Sequence, residues 1–179
     1  MIKSEETFYL FFESRGFKVS TFSKDEKRIK NKKTPDFKVL LDDILLFYCE
    51  VKEIQEDNRD YENGSLNDNT YDIISECIND SYKQFISVNE EHLVPNILAI
   101  YSNRHGTDIL DYKYTCEGGF YSKERFYPIL KKVSEGRIKE KKQLIDLCIC
   151  YDKITETFNY MVYNDSKYRD MIYKYFSSK

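Results

Sequence analysis

One run of residues narrows the architecture more than any other feature: NILAIYS, 96–102, is apolar almost without interruption. A strand with one wet face alternates apolar and polar side chains, whereas an unbroken apolar run suits a strand covered on both faces. Such cover means helices on both sides of a sheet, and the rest of the chain can supply them. Residues 4–15 place Phe8, Phe11, Phe12 and Arg15 at helical spacing, with Ser4 as N-cap and Gly16 as the stop. Residues 71–87 line up Ile74, Cys77, Ile78, Ser81 and Phe85 on one side of a second helix, and 165–176 close the chain with Tyr168, Ile172 and Tyr175 sharing a face. Strands are expected at 17–22, 36–41, 45–54, 144–152 and 157–164. The polar run 55–70 reads as a loop or flap, and 103–143, broken by Gly118-Gly119 and Pro128, as a mixed region with two short helices. This order predicts an α/β fold over 1–179, a single domain with a central mixed β-sheet flanked by helices on both faces.

Composition excludes several function classes. With 41% hydrophobic and 33% charged residues the chain reads as a soluble globular protein. Its five cysteines are odd in number and form no C-x-x-C pair, and there are only two histidines. Neither a disulfide framework nor a zinc site is expected, and reduced, buried thiols point to the cytoplasm. No apolar run reaches the length of a membrane span, and MIKSEETFYLFFESRG is not a signal peptide. The Tyr- and Phe-rich aromatic content suits half-buried sheet positions, and Tyr-rich surfaces can also stack on bases. His92 and His105 do not suit an HNH-type nuclease, and neither G-x-x-x-x-G-K-[ST] nor G-x-S-x-G occurs. A net charge of −3 argues against a non-specific coat for nucleic acid, but the charge is sorted into blocks. Residues 24–33 hold six bases and two acids, 123–142 eight bases and three acids, and 50–80 ten acids and two bases.

The chemistry concentrates in TPDFKVLLDDILLFYCEVKE, 34–53. Taken as an antiparallel hairpin, it puts Phe37, Val39, Leu41, Phe47, Cys49 and Val51 on one apolar face. The other face carries Asp36, Lys38, Leu40, Leu46, Tyr48, Glu50 and Lys52. A three-residue connection at 42–44, or a tighter turn with one bulge, sets Asp36 opposite Glu50. Two carboxylates at that separation repel unless a cation sits between them, and Lys52 offsets only part of the repulsion. Two carboxylate groups with room for water suit Mg²⁺, and an ammonium beside them suits phosphodiester hydrolysis.

Pro35-Asp36, then Glu50-Val51-Lys52 thirteen residues further on, resembles the signature of the PD-(D/E)XK nuclease superfamily. The resemblance implies a restriction-endonuclease-like fold and Mg²⁺-dependent cleavage of nucleic acid, with Mn²⁺ as a substitute and DNA as the expected partner. It implies that Asp36, Glu50 and the Val51 carbonyl bind metal and that Lys52 positions the attacking water. Glu5-x-x-Phe8-x-x-x-Phe12-x-x-x-Gly16 resembles the family's first helix, which makes Glu5, with Glu6 beside it, a further acidic candidate. Gln84 in a YKQF stretch resembles the polar residue that a later family helix aims at the metal. Val88 stands where one exonuclease subgroup has Tyr, so the resemblance is to the wider superfamily. Lys27, Arg28, Lys30, Lys32 and Lys33 precede Asp36 and are placed to meet a phosphate backbone, as are Lys131, Lys132, Arg137, Lys139, Lys141 and Lys142. A homodimer would place two sites on two strands of a duplex. Two other readings remain open at this point: a nuclease fold that binds partners without catalysis, and a plain α/β domain with a chance motif.

Overall fold

The apolar run occupies the middle of a six-stranded sheet, where it pairs in parallel with a neighbour on either side. The structure is a computed structural model and describes residues 1–23, 25–26, 33–56, 69–104, 107–128, 138, 140–163 and 165–176. Its elements follow the chain as α1 (Lys3–Ser14), β1 (Lys18–Thr21), β2 (Phe37–Leu41), β3 (Ile44–Gln55), α2 (Thr70–Val88) and β4 (Asn96–Asn103). Then come α3 (Ile109–Glu117), β5 (Gly119–Ser122), β6 (Arg125–Pro128), a 3₁₀ turn (Lys141–Leu144), β7 (Leu147–Asp152), β8 (Thr157–Val162) and α4 (Arg169–Phe176). The main sheet runs β1-β2-β3-β4-β7-β8, with β3, β4 and β7 parallel and the outer pairs antiparallel. The protein is therefore an α/β fold with a mixed sheet, and no described helix is long and apolar enough to cross a membrane.

Alternation along the strands divides the core in two. On one face Phe37, Val39, Phe47, Cys49, Ile97 and Leu147 meet Phe8, Phe11 and Phe12 of α1 and Ile172 and Phe176 of α4. On the other face Leu98, Ile100, Cys148 and Cys150 meet Ile74, Ile78 and Phe85 of α2 and Tyr112 and Cys116 of α3. All five cysteines are buried free thiols. Gly16 ends α1 at φ +83°, a conformation that costs a residue with a Cβ. Its N–H donates to the Glu13 carbonyl and the Phe17 N–H to that of Phe12, while Phe17 packs against Phe12.

Several local expectations change. The β2–β3 connection is the tighter alternative, a two-residue turn with Asp42 and Asp43 at φ 50° and 62°, the twist that closes a hairpin. A bulge follows between Val39 and Leu40, and Leu46 packs on the core face shared with Phe47 rather than on the opposite one. Ser4 lies inside α1, not at its cap, because its hydroxyl donates to Glu53 Oε2 at 3.1 Å. Among its described residues the region 103–143 holds one α-helix, the antiparallel ribbon β5–β6, which was not expected, and the start of the 3₁₀ turn. The closing helix begins at Arg169, because Ser166 is drawn to Asp146 Oδ1 at 2.5 Å. Residues 57–68, which cover most of the expected flap, lie outside the described residues.

Candidate active site

The register of the β2–β3 hairpin creates the site. Phe37 pairs with Cys49, so Asp36 falls opposite Glu50 just beyond the end of the ladder. There β3 continues without β2 beside it, and the Val51 N–H loses its strand partner. Asp36 Oδ2 accepts that N–H at 2.8 Å. In a strand the N–H and C=O of one residue point to the same side, so the Val51 carbonyl also faces Asp36. The Val51 side chain goes into the α1–α4 core, and period two therefore sends Glu50 and Lys52 to the α2 side. Glu50 is 2% exposed, and Lys52 Nζ lies 2.7 Å from its Oε1.

Among the described residues, Asp36 and Glu50 have Lys52 as their neighbouring base. Burial, then the Asp36 charge, pushes the Glu50 carboxyl up to about 8, against the pull of Lys52. Asp36 also rises, chiefly through burial and then through the Glu5 charge, although the Val51 N–H and Lys52 oppose the shift. Each carboxyl group acts on the other, and their interaction favours the proton on Glu50 over Asp36. Glu50 Oε2 is buried and meets no donor among the described residues. A carboxyl pair in that state holds a proton or takes up a cation. Burial works against the Lys52 ammonium, but Glu50 outweighs it, and the lysine pKa lies above its ordinary 10.5. Lys52 is therefore a donor and a fixed charge at neutral pH, not a base.

The remaining candidates sit around this core. Glu5 accepts the Ile2 N–H at 3.0 Å and acts on Asp36 through its charge, whereas Glu6 is exposed. Gln84 lies on α2 one turn beyond Asp80; its Oε1 is buried without a partner, and no hydrogen bond joins it to Asp36, Glu50 or Lys52. The same helix end is tied to the approach to Asp36, because Ser87 Oγ donates to the Lys33 carbonyl at 3.1 Å. Lys33 is exposed, while Lys27, Arg28, Lys30 and Lys32 lie outside the described residues. So do Lys131, Lys132, Arg137 and Lys139. Lys141 and Lys142 are not free phosphate contacts, since they donate to Asn79 Oδ1 and to the Cys116 carbonyl and so bind the 3₁₀ turn to α2 and α3.

Two neighbours of Lys52 escaped the sequence reading: Cys77 and Asp80, both on α2. Burial pushes the Cys77 thiol up to about 12, so it is no nucleophile. Asp80 is exposed and held below its usual value by Lys83, with Lys52 and Lys33 adding to the effect. Its spacing of four from Gln84 was the available signal. No described cluster of three or more His, Cys, Asp or Glu forms a ready metal cage. The Asp36–Glu50 pair nonetheless fits a hard divalent cation, because it joins carboxyl oxygens to an orphaned buried acceptor and a carbonyl on the same side. Comparisons with protein-family models, with curated proteins and with solved structures found no match to this chain.

Proposed function

We propose that the protein is a divalent-metal-dependent nuclease of restriction-endonuclease-like fold, hydrolysing phosphodiester bonds in nucleic acid, with DNA as its main substrate. One observation carries the reading: half-buried Asp36 lies opposite fully buried Glu50, and among the described residues Lys52 is the cation paired with Glu50 while Glu50 Oε2 has no donor. Burying an unsatisfied carboxyl destabilises a fold unless a ligand completes it. Asp36, Glu50 and the Val51 carbonyl are the groups that would hold Mg²⁺ or Mn²⁺, with the Glu5 charge adding to the attraction. When bound, such an ion supplies Lewis acidity and charge neutralisation at a phosphodiester. Glu50 must release its proton to bind, and Lys52 favours that release. The Lys52 ammonium then hydrogen bonds to an attacking water and offsets negative charge growing on the phosphate.

The test is a cleavage assay on linear and circular DNA, single-stranded DNA and RNA, in Mg²⁺ and then Mn²⁺, with Glu50→Ala alongside. Metal-dependent cutting that disappears in the variant is the expected result. Cutting that survives in Glu50→Ala would sink the proposal.

A second reading is a nuclease fold that binds partners without catalysis. It draws on the contacts already made: Asp36 accepts the Val51 N–H and Glu50 pairs with Lys52, as a purely structural clasp would. Calorimetry separates the two, because a clasp takes up no Mg²⁺ or Mn²⁺. Gln84 offers a finer check. Gln84→Met removes a buried, unpartnered oxygen at similar volume and is expected to raise stability by about 1 kcal/mol, read as an increase in Tm. The same variant should cut more slowly, because Gln84 serves the site rather than the fold.

A further inference from the structure

The two edges of the main sheet are finished differently. β1 is four residues long and carries Lys18, which pairs with Asp43. Short, charged edge strands resist further pairing. β8 is six residues long, with no charge, proline or break in register along it. One contact sets its hydrogen-bond directions. The Tyr163 N–H donates to the Asp146 carbonyl at 2.9 Å, so the odd-numbered residues of β8 face β7, opposite Cys148, Cys150 and Asp152. The N–H and C=O of Phe158, Tyr160 and Val162 therefore point out of the sheet. Among the described residues no hydrogen bond reaches them. A cavity of about 410 Å³ touches Tyr160, Met161, Val162 and Tyr163 together. Successive strand residues point to opposite faces, so a space that meets all four runs along the edge itself.

The chemistry of this edge names its occupant. A row of outward N–H and C=O groups is matched by another strand. The charges that line the cavity are balanced: Lys113 and Lys142 against Glu117 and Asp165. Lys113 lies 4.0 Å from Glu117, and Lys142 donates to the Cys116 carbonyl, so the lining favours neither an acidic nor a basic ligand. A balanced surface suits contact with itself, because a two-fold axis can set each charge near its opposite. β8 is self-complementary in the same sense. A two-fold axis through Tyr160 sets Phe158 opposite the partner's Val162 and uses every outward group. No charge of β8 then meets its like, since the strand has none.

We propose that β8 pairs antiparallel with β8 of a second copy of this chain, joining two sheets into one across a two-fold axis at Tyr160. The proposal is independent of the nuclease reading, and its test reads association rather than cleavage. Sedimentation equilibrium is run on the full chain, wild type, Tyr160→Lys and Tyr160→Glu, with the two variants also mixed. The wild type should be a dimer. Each variant alone should associate about a hundredfold more weakly, because residue 160 faces its own copy across the axis. An equimolar mixture should dimerise again, since a lysine then meets a glutamate. Tyr160→Cys gives a reading free of charge and decides alone if the charged variants lose their fold. Paired residues lie about 5.5 Å apart at Cα, within disulfide reach. The native cysteines are buried, so oxidation should link two chains through position 160 alone. A monomeric wild type overturns the proposal and leaves the edge to a different strand. Undiminished dimers in both charged variants overturn it too, by placing the contact elsewhere. So does a mixture that stays monomeric, or a Tyr160→Cys protein that forms no cross-link.

Discussion

Lys52→Met is expected to slow cleavage by about a hundred- to a thousandfold at saturating metal, while metal binding recovers at high pH. The two effects separate because Lys52 touches two things. Its Nζ is 2.7 Å from Glu50 Oε1, and it is the cation that holds the Glu50 carboxyl down against burial and the Asp36 charge. Without it Glu50 keeps its proton to higher pH, and a divalent ion must compete with that proton. Metal affinity near pH 7 therefore falls, and it returns toward wild type at about pH 9, where the proton leaves unaided. The chemical step does not return with it. On the proposed function this variant lacks the ammonium that would stand beside the scissile phosphate, and no change of pH replaces a fixed positive charge. Lys52→Arg keeps the charge on a bulkier, planar group and should fall between the two. Calorimetric titration of Mg²⁺ at both pH values, paired with single-turnover cleavage at saturating metal, checks the split. Full recovery of rate once metal is bound would reduce Lys52 to a structural partner of Glu50.

The distinction between binding and chemistry was only partly legible in the chain. Period-two alternation in 36–41 and 45–54 was enough to bring Asp36, Glu50 and Lys52 together, because a shift of one residue would bury the polar face and expose Phe37, Val39 and Cys49. The central position of 96–102 followed from its unbroken apolar character. Ionisation did not. Glu50 reads in sequence as one charged residue in a strand, and only the packing of α2 over it shows that it holds its proton to about 8. The choice between Glu5 and Glu6 likewise needed the helix rotation set by Ser4 and Phe8. The β5–β6 ribbon was missed because its turn carries no turn residues. Lys123 and Glu124 adopt φ 47° and 65°, a geometry usually signalled by Asn or Gly. Buried networks that join distant segments leave no local trace either. Asp146 accepts from the Asn96 N–H at 2.8 Å and from Ser166 Oγ at 2.5 Å and meets His92 Nε2 at 2.7 Å, across separations of 50, 20 and 54 residues.

Glu50→Gln is expected to make the protein more stable than the wild type, by an amount that grows with pH. In the unfolded chain Glu50 titrates near its ordinary 4.5, and in the folded protein near 8. Between those values the native state holds a proton that the unfolded state has released, so wild-type stability falls as pH rises through the window and the penalty is complete above it. Asp36 is shifted in the same direction, and Lys52 stays charged throughout because its own pKa lies above 10.5. The amide introduced by Glu50→Gln would keep the acceptor for Lys52 and offer an N–H₂ to the Asp36 carboxylate, with no charge to bury. The two proteins should be nearly equal at about pH 5 and differ by about 2–4 kcal/mol at about pH 9, a range below the full shift because the two carboxyl groups titrate as a pair. Urea titrations across the range measure the difference directly. Divalent metal supplies the second half of the prediction. On the proposed function, Mg²⁺ or Mn²⁺ at millimolar concentration would take the place of the Glu50 proton beside the two carboxylates. It should restore the wild type at high pH and leave Glu50→Gln where it was. Equal stabilisation of both proteins by metal would place the ion elsewhere. A pH-independent difference between them would mean that Glu50 is ionised in the folded state, held by Lys52 alone, and that the pair needs no further cation.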